Sequence, residues 1–301
     1  MSPAKFASVL LLSALSVAAC SDSTEPTETS LTSVLLTDAP FPYDRVARVD
    51  VYIVRIMASE KADTGSNVED STQTGLRTIV EPNQRYDLLT LQGGRTAPLG
   101  DANLPATVYR SVRLTMSTDS SSITLKDGTV LTGASSPGVA WQGEGVISLN
   151  AVVHEPVEIA DTGAVIVIDF DVGRSFIPVG ADTVGGSTGF LFIPYIRAVN
   201  SAGTGSISGA VVGADQGGPI PGAAIRVFLG DPAMPENTWA LMSSGKADAV
   251  GSFQIGYLTP RTYIIRVDAP ASSAYGHAVV PAVVVTAGQE TSVGTVTLPA
   301  R

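Results

Sequence analysis

Two carboxylates, Asp169 and Asp171, stand two residues apart in the stretch GAVIVIDFDV (163–172). Alternate side chains of a strand share a face, so the two acids are expected to project together. Ile166, Ile168, Phe170 and Val172 would then occupy the other face. Paired carboxylates can bind Ca²⁺ or divide the roles of general acid and general base. The string has no third ligand, glycine or distal glutamate of an EF-hand loop. Asp169 and Asp171 are therefore weak metal candidates, set against a hydrogen-bonded strand end paired with Arg174. Gly185-Gly186-Ser187-Thr188-Gly189 matches the G-x-S-x-G string of serine hydrolases. That elbow needs a helix after the serine, and the strand-like FLFIPYIRAV follows instead, so no catalytic role is assigned to Ser187. His154 and His277 are the only histidines. They lie far apart, without the clustered ligands of a zinc site, and are expected to be ordinary partly buried residues. Trp141 and Trp239 could stack on sugar rings, but packing in a core or at an edge is favoured. No dinucleotide or P-loop string is present, and no cofactor is expected.

The last reactive group is the single cysteine, Cys20, at the seam between an oily run and a polar one. Residues 1–19 follow secretory-signal logic: Lys5, then a short apolar stretch from Phe6 to Val17, then Ala18 and Ala19. The run is far short of the ~20 apolar residues that span a bilayer. Val17-Ala18-Ala19-Cys20 resembles the bacterial lipobox, which implies acylation of the Cys20 thiol and cleavage just before it. The alternative is an ordinary signal peptide with an incidental cysteine. A lone thiol in an oxidising exported compartment has no internal partner, and a lipid would remove it. Two acyl chains at ~0.8 kcal/mol per buried CH₂ suffice for stable anchoring. Residues 21–33, SDSTEPTETSLTS, carry one large apolar residue, Leu31. They are expected to be an unfolded tether, reaching about 40 Å at ~3.1 Å per residue. Ser21, rather than Asp, follows the cysteine, which favours the outer membrane if the organism has one.

The elements that must position these residues read as strands. Charged residues are only 15% of the 301, with 30 Gly and 19 Pro, so the chain lacks material for exposed helical faces. Lys+Arg is 18 against 28 Asp+Glu; without Lys5 the mature balance is 17 − 28 = −11, which argues against a nucleic-acid partner. In VARVDVYIVRIM (46–57), Ala47, Val49, Val51 and Ile53 share a face. YRSVRLTM (109–116), GVISLNAVV (145–153), GAVIVIDFDV and GFLFIPYIRAV (189–199) follow, with Pro194 marking an edge or bulge. ITLKDGTVL (123–131) is expected to be a hairpin with a type I′ turn at Asp127-Gly128. Residues 58–78 are expected to form a long polar loop between strands, and residues 180–188 a shorter Gly-rich one. The segments SVLLTDAPFPYDRVARVDVYIVRI, YDLLTLQGG, LPATVYRSVRLTM and VIDFDVGRSFIPVG…FLFIPYIRAV resemble the bacterial and archaeal domain-of-unknown-function family numbered 4382. Thr37-Asp38-Ala39-Pro40 and Asp169-Phe170-Asp171 carry most of that likeness. The resemblance implies an exported, β-rich protein and no known chemistry.

After a short hinge at Gly203-Thr204-Gly205, seven strand-like segments follow at regular spacing between SISGAVVG and SVGTVTL. SISGAVVGADQGGPIPGAAIRVFL and GSFQIGYLTPRTYIIRVDAP resemble the carboxypeptidase-regulatory-like, prealbumin-type module, with Ala247-Asp248 and Arg261 departing from its pattern. Such modules are generally non-catalytic, as the resemblance implies.

The expected architecture is all-β: two antiparallel sandwiches in tandem, residues 34–200 and 204–298, behind a signal peptide (1–19) and a lipidated tether (20–33). The expected protein is a non-enzymatic, lipid-anchored member of the cell envelope, exported and held to the membrane through Cys20. A glycan or an envelope protein would be its partner. The alternatives are a glycan or peptide receptor with an aromatic patch near Trp141 or Trp239, and a hydrolase in which a third acid joins Asp169 and Asp171.

Overall fold

The computed structural model describes residues 28–39, 45–62, 75–180, 189–214 and 217–301. Cys20, most of the tether, most of the loop 58–78, and Ser187 lie outside the described residues. In chain order the first strands are β1 (Thr29–Thr37), β2 (Val46–Ser59), β3 (Arg77–Val80), β4 (Gln84–Asp87) and β5 (Ala97–Pro105). Then come β6 (Val108–Tyr109), β7 (Ser111–Leu125), β8 (Val130–Leu131), β9 (Val139–Ala140) and β10 (Val146–Ala151). β11 (Val157–Glu158), β12 (Ala164–Phe170), β13 (Phe176–Val179), β14 (Gly189–Phe192) and β15 (Ile196–Asn200) complete this part.

One sheet runs β15-β12-β1-β5 and a second β10-β7-β2-β3, with β4 and β8 attached to β2 and β7. Their facing side chains form one core that includes Val34, Leu36, Ile53, Ile56, Leu114 and Ile168. The sheets are largely antiparallel, as expected. Two pairs depart from that expectation: β1 lies parallel to β12, and β9 parallel to β14. In β2, Val49, Val51 and Ile53 are buried together. Ala47 drops out of their face, because β2 bulges between Val46 and Arg48. A bulge inserts one residue and resets the alternation.

Three local expectations are corrected. Residues 29–33 are strand, not tether. Ser30 and Thr32 point inward, and Ser30 Oγ donates to the Ala160 carbonyl at 2.8 Å. Small hydroxyl side chains can be buried once such bonds form, so low hydrophobicity misread this stretch. At 125–129 the turn is not type I′, since only Gly128 (φ +88°) is left-handed. The Gly128 N–H donates to Leu125 O, and the Leu125 N–H donates to Thr129 O. That is a type I turn closed by a glycine bulge. Finally, GFLFIPYIRAV divides at Ile193-Pro194-Tyr195, with β14 pairing β13 and β9 while β15 pairs β12.

The seven segments expected after residue 204 are all strands: β16 (Gly205–Gly213), β17 (Ala224–Leu229), β18 (Ala240–Lys246), β19 (Ser252–Leu258), β20 (Thr262–Asp268), β21 (His277–Val284) and β22 (Glu290–Leu298). They form two sheets, β19-β16-β22 and β18-β17-β20-β21, around a separate core with Ile207, Ile225, Phe253 and Ile265. β16 and β22 are parallel. The segment 203–205 is packed rather than hinge-like. Thr204 is buried, and a Cβ on Gly205 would sit 2.3 Å from the Thr286 carbonyl oxygen.

Candidate functional site

β1 and β12 run side by side in the same direction and reach their ends together, with Thr37 opposite Asp169. Parallel pairing therefore delivers Asp38, from the Thr-Asp-Ala-Pro segment, to the same end of the sheet as Asp169 and Asp171. The two segments that carry the family likeness meet in space.

The strand expected to hold both Asp169 and Asp171 ends at Phe170. Asp171 instead caps the one-turn helix Val172–Ser175. Its Oδ1 accepts the Arg174 N–H at 2.9 Å. Asp169 is bound not by Arg174 but by Arg197, its neighbour across β15, whose Nε and Nη2 both donate to Oδ2. Both partners are buried. Asp38 Oδ1 accepts the Val172 N–H at 3.0 Å and Oδ2 meets Gln92 Nε2 at 3.4 Å. The third acid is Asp38, which directly follows β1 as Asp171 directly follows β12.

Burial dominates the electrostatics of this group. Desolvation pushes the Asp38 carboxyl well above the usual range. The Val172 N–H opposes that shift, and the charges of Asp171 and Asp169 add to it. Desolvation, with the nearby Asp169 charge, pushes Asp171 up to about 6. Burial alone would lower Arg197, but the Asp169 carboxylate outweighs it and the net shift is upward.

The cluster faces the second domain. A cavity of about 20 Å³ lies between Thr37, Asp38 and Asp169 on one side and Ser243, Ser244 and Tyr257 on the other. Arg174 lies over the Tyr195 ring, 3.3 Å from its centroid, and Nη1 donates to Leu241 O at 3.0 Å across the seam. Arg261 reaches Glu155 at 2.6 Å. Beside these contacts runs a groove of about 840 Å³, with Gln92 and Arg95 from the first domain and Lys246, Asp248, Gln254 and Glu290 from the second among its walls.

The carboxylates do not form an acid–base pair in an open cleft. Each is buried and accepts from backbone or arginine. Trp141 packs against Phe192 and Phe176, with ring centroids 5.0 and 5.8 Å away. Trp239 packs edge-on to Phe228, and its Nε1 donates to Asp231 O. Both are half-buried. His154 and His277 are exposed rather than partly buried. Among the described residues, no three His, Cys, Asp or Glu side chains are placed to hold a metal ion. None of the described helices is long and apolar enough to cross a membrane.

The family model described as domain of unknown function DUF4382 matches residues 29–194, more than half of the chain. No curated protein matches the sequence. Among solved structures, similar ones include a Bacteroides uniformis protein assigned provisionally to carbohydrate binding. It is 16% identical, the match covers 31% of this chain and 40% of that one, and the TM-score is 0.22. The streptococcal ancillary pilin is 14% identical over 91% of this chain and 64% of that one, with TM-score 0.24. The shaft pilin SpaA of Lactobacillus rhamnosus GG is 9% identical over 91% of this chain and 98% of that one, with TM-score 0.25. The chain spans less than two thirds of the first two proteins. None superposes closely enough to identify the fold.

Proposed function

The chain belongs to the DUF4382 family, and from that premise we propose a non-catalytic binding or structural protein of the cell envelope, anchored by lipid on Cys20. The observation that carries the non-catalytic reading is the seam itself. The residues with most chemical potential, Asp38, Asp169, Asp171 and Arg197, are buried and engaged with one another and with backbone. They join parts of the fold. The anchor rests on the lipobox-like Val17-Ala18-Ala19-Cys20 behind a short apolar leader. Ser21 after the cysteine favours the outer membrane of a diderm cell. Metabolic labelling with an alkyne fatty acid tests this reading. Label is expected on the wild type and absent from Cys20→Ala, which moves to the soluble envelope fraction. Retained label in the variant overturns it.

The groove favours binding over a purely structural role. Its walls offer amide, carboxylate, guanidinium and ammonium groups along about 840 Å³, a volume in the range of ligand clefts. A glycan array probed with the chain from Ser21 onward, which keeps all of β1, is expected to give hits that Gln254→Ala or Glu290→Ala removes. Hits unaffected by both substitutions would place binding elsewhere.

A further inference from the structure

One arginine on the wall of the groove has a fixed backbone and an unspent side chain. Gln92-Gly93-Gly94-Arg95 turns with both glycines left-handed, φ +70° and +78°, a conformation that costs other residues more. The turn is pinned to the end of β1. Thr37 Oγ1 donates to Arg95 O at 2.8 Å, and the Asp38 N–H donates to Leu91 O at 3.4 Å. Arg95 itself is exposed, and its side chain has no hydrogen-bond, ion-pair or ring partner among the described residues. Lys246 adds a second cation to the walls, from the second domain.

The acids of the same walls are engaged with the protein. Asp248 Oδ1 accepts the Val250 and Ser252 N–H groups, both at 2.9 Å. Glu290 Oε1 accepts Ser208 Oγ at 2.6 Å, and Oε2 meets Gln254 Nε2 at 3.5 Å. What the groove still offers a ligand is therefore biased toward donation. A carboxylate matches that bias, since guanidinium presents a planar fork of N–H groups to both oxygens. The mature net charge of −11 gives an anion no long-range attraction, so a preference for one has to come from these wall groups.

The shape suits a chain of units rather than one small molecule. Past Gln254 and Glu290, which belong to both, a second compartment of about 360 Å³ continues along Gly94, Ser206, Tyr257 and Gln289. Together the two exceed the ~300–1,000 Å³ of a drug-sized site. The floor draws on all three strands of the β19-β16-β22 sheet, with Ser252 and Ser292 adding hydroxyls. Central β16 is paired on both sides, so it has no free ladder for a peptide strand to extend. Sugar hydroxyls need no ladder. We propose that the groove takes an acidic glycan, a chain of carboxylate-bearing sugars whose negative groups pair with Arg95 and Lys246. This rests on the reading of the groove as a binding site and names its ligand class.

Isothermal titration calorimetry on the full chain tests it with three probes: an oligogalacturonate, the same oligomer with its carboxyls methyl-esterified, and a polyglutamate peptide of equal charge. Oligogalacturonate is expected to bind at least ~10-fold tighter than the ester, the worth of one charge-assisted hydrogen bond. Arg95→Gln should erase that difference. Because Arg95 has no side-chain partner to lose, the variant should keep the wild-type thermal midpoint. Equal affinity for acid and ester overturns the acidic class while leaving a glycan site. Polyglutamate binding as tight as oligogalacturonate overturns the glycan. A preference that survives in Arg95→Gln overturns the assignment to this groove. Absence of binding by both sugar probes also overturns the inference, whereas glycan-array hits removed by Gln254→Ala would still support the groove itself.

Discussion

At Asp171, helix capping and burial pull in opposite directions. The cap wants an acceptor for the Arg174 N–H, and the buried site resists a charge. The folded-state value of about 6 lies above the ordinary 3.8. Below about pH 4 the acid is neutral in both states and adds no penalty. Between about 4 and 6 the unfolded chain ionises first, so rising pH favours unfolding. Above about 6 the penalty is constant, near 3 kcal/mol for a shift of this size. Asp171→Asn, an equally good cap, should flatten that slope and raise stability at neutral pH. Urea unfolding at stepped pH measures both effects. At Arg197 the sign reverses. Arg197→Met strands a buried Asp169 charge and should cost roughly 3–5 kcal/mol. Adding Asp169→Leu should recover much of that loss, since an apolar pair can replace a buried ion pair. If the double variant is no more stable than the single one, the pair is not the source of the loss.

At the scale of elements, β1 is the strand that organises the first domain, hydrogen-bonded to β5 on one side and β12 on the other. A chain starting at residue 34 loses five of its nine residues, including inward-facing Ser30 and Thr32. It should lose cooperative unfolding and near-ultraviolet circular dichroism from Trp141, while a chain starting at Ser21 keeps both. The strands were legible where β-branched residues alternate, as in Val49, Val51 and Ile53, and in all seven segments after residue 204. β1 was half hidden because hydroxyl residues take its first inward positions. The Asp169–Arg197 pair was invisible, because it depends on which strands are neighbours. So was the arrival of Asp38, which follows from the parallel pairing of β1 with β12, and periodicity says nothing about pairing.

For the whole molecule, the seam includes polar contacts between the two domains. The Arg174–Leu241 bond contributes about 1–3 kcal/mol, and the half-exposed Arg261–Glu155 pair under about 1 kcal/mol. Single domains commonly have about 5–15 kcal/mol of their own. The two domains should therefore unfold in separate transitions. Trp141 and Trp239 report on one domain each, and Trp239→Phe and Trp141→Phe let each signal be followed alone. Coincident midpoints would mean a stronger seam than these contacts supply. The placement of β1 has a mechanical meaning as well. Any tug transmitted through the N-terminal segment arrives along the axis of a strand gripped on both flanks, so its ladder bonds are loaded in shear and must yield together rather than unzip one by one. A body tethered by that end would meet drag with its most resistant geometry.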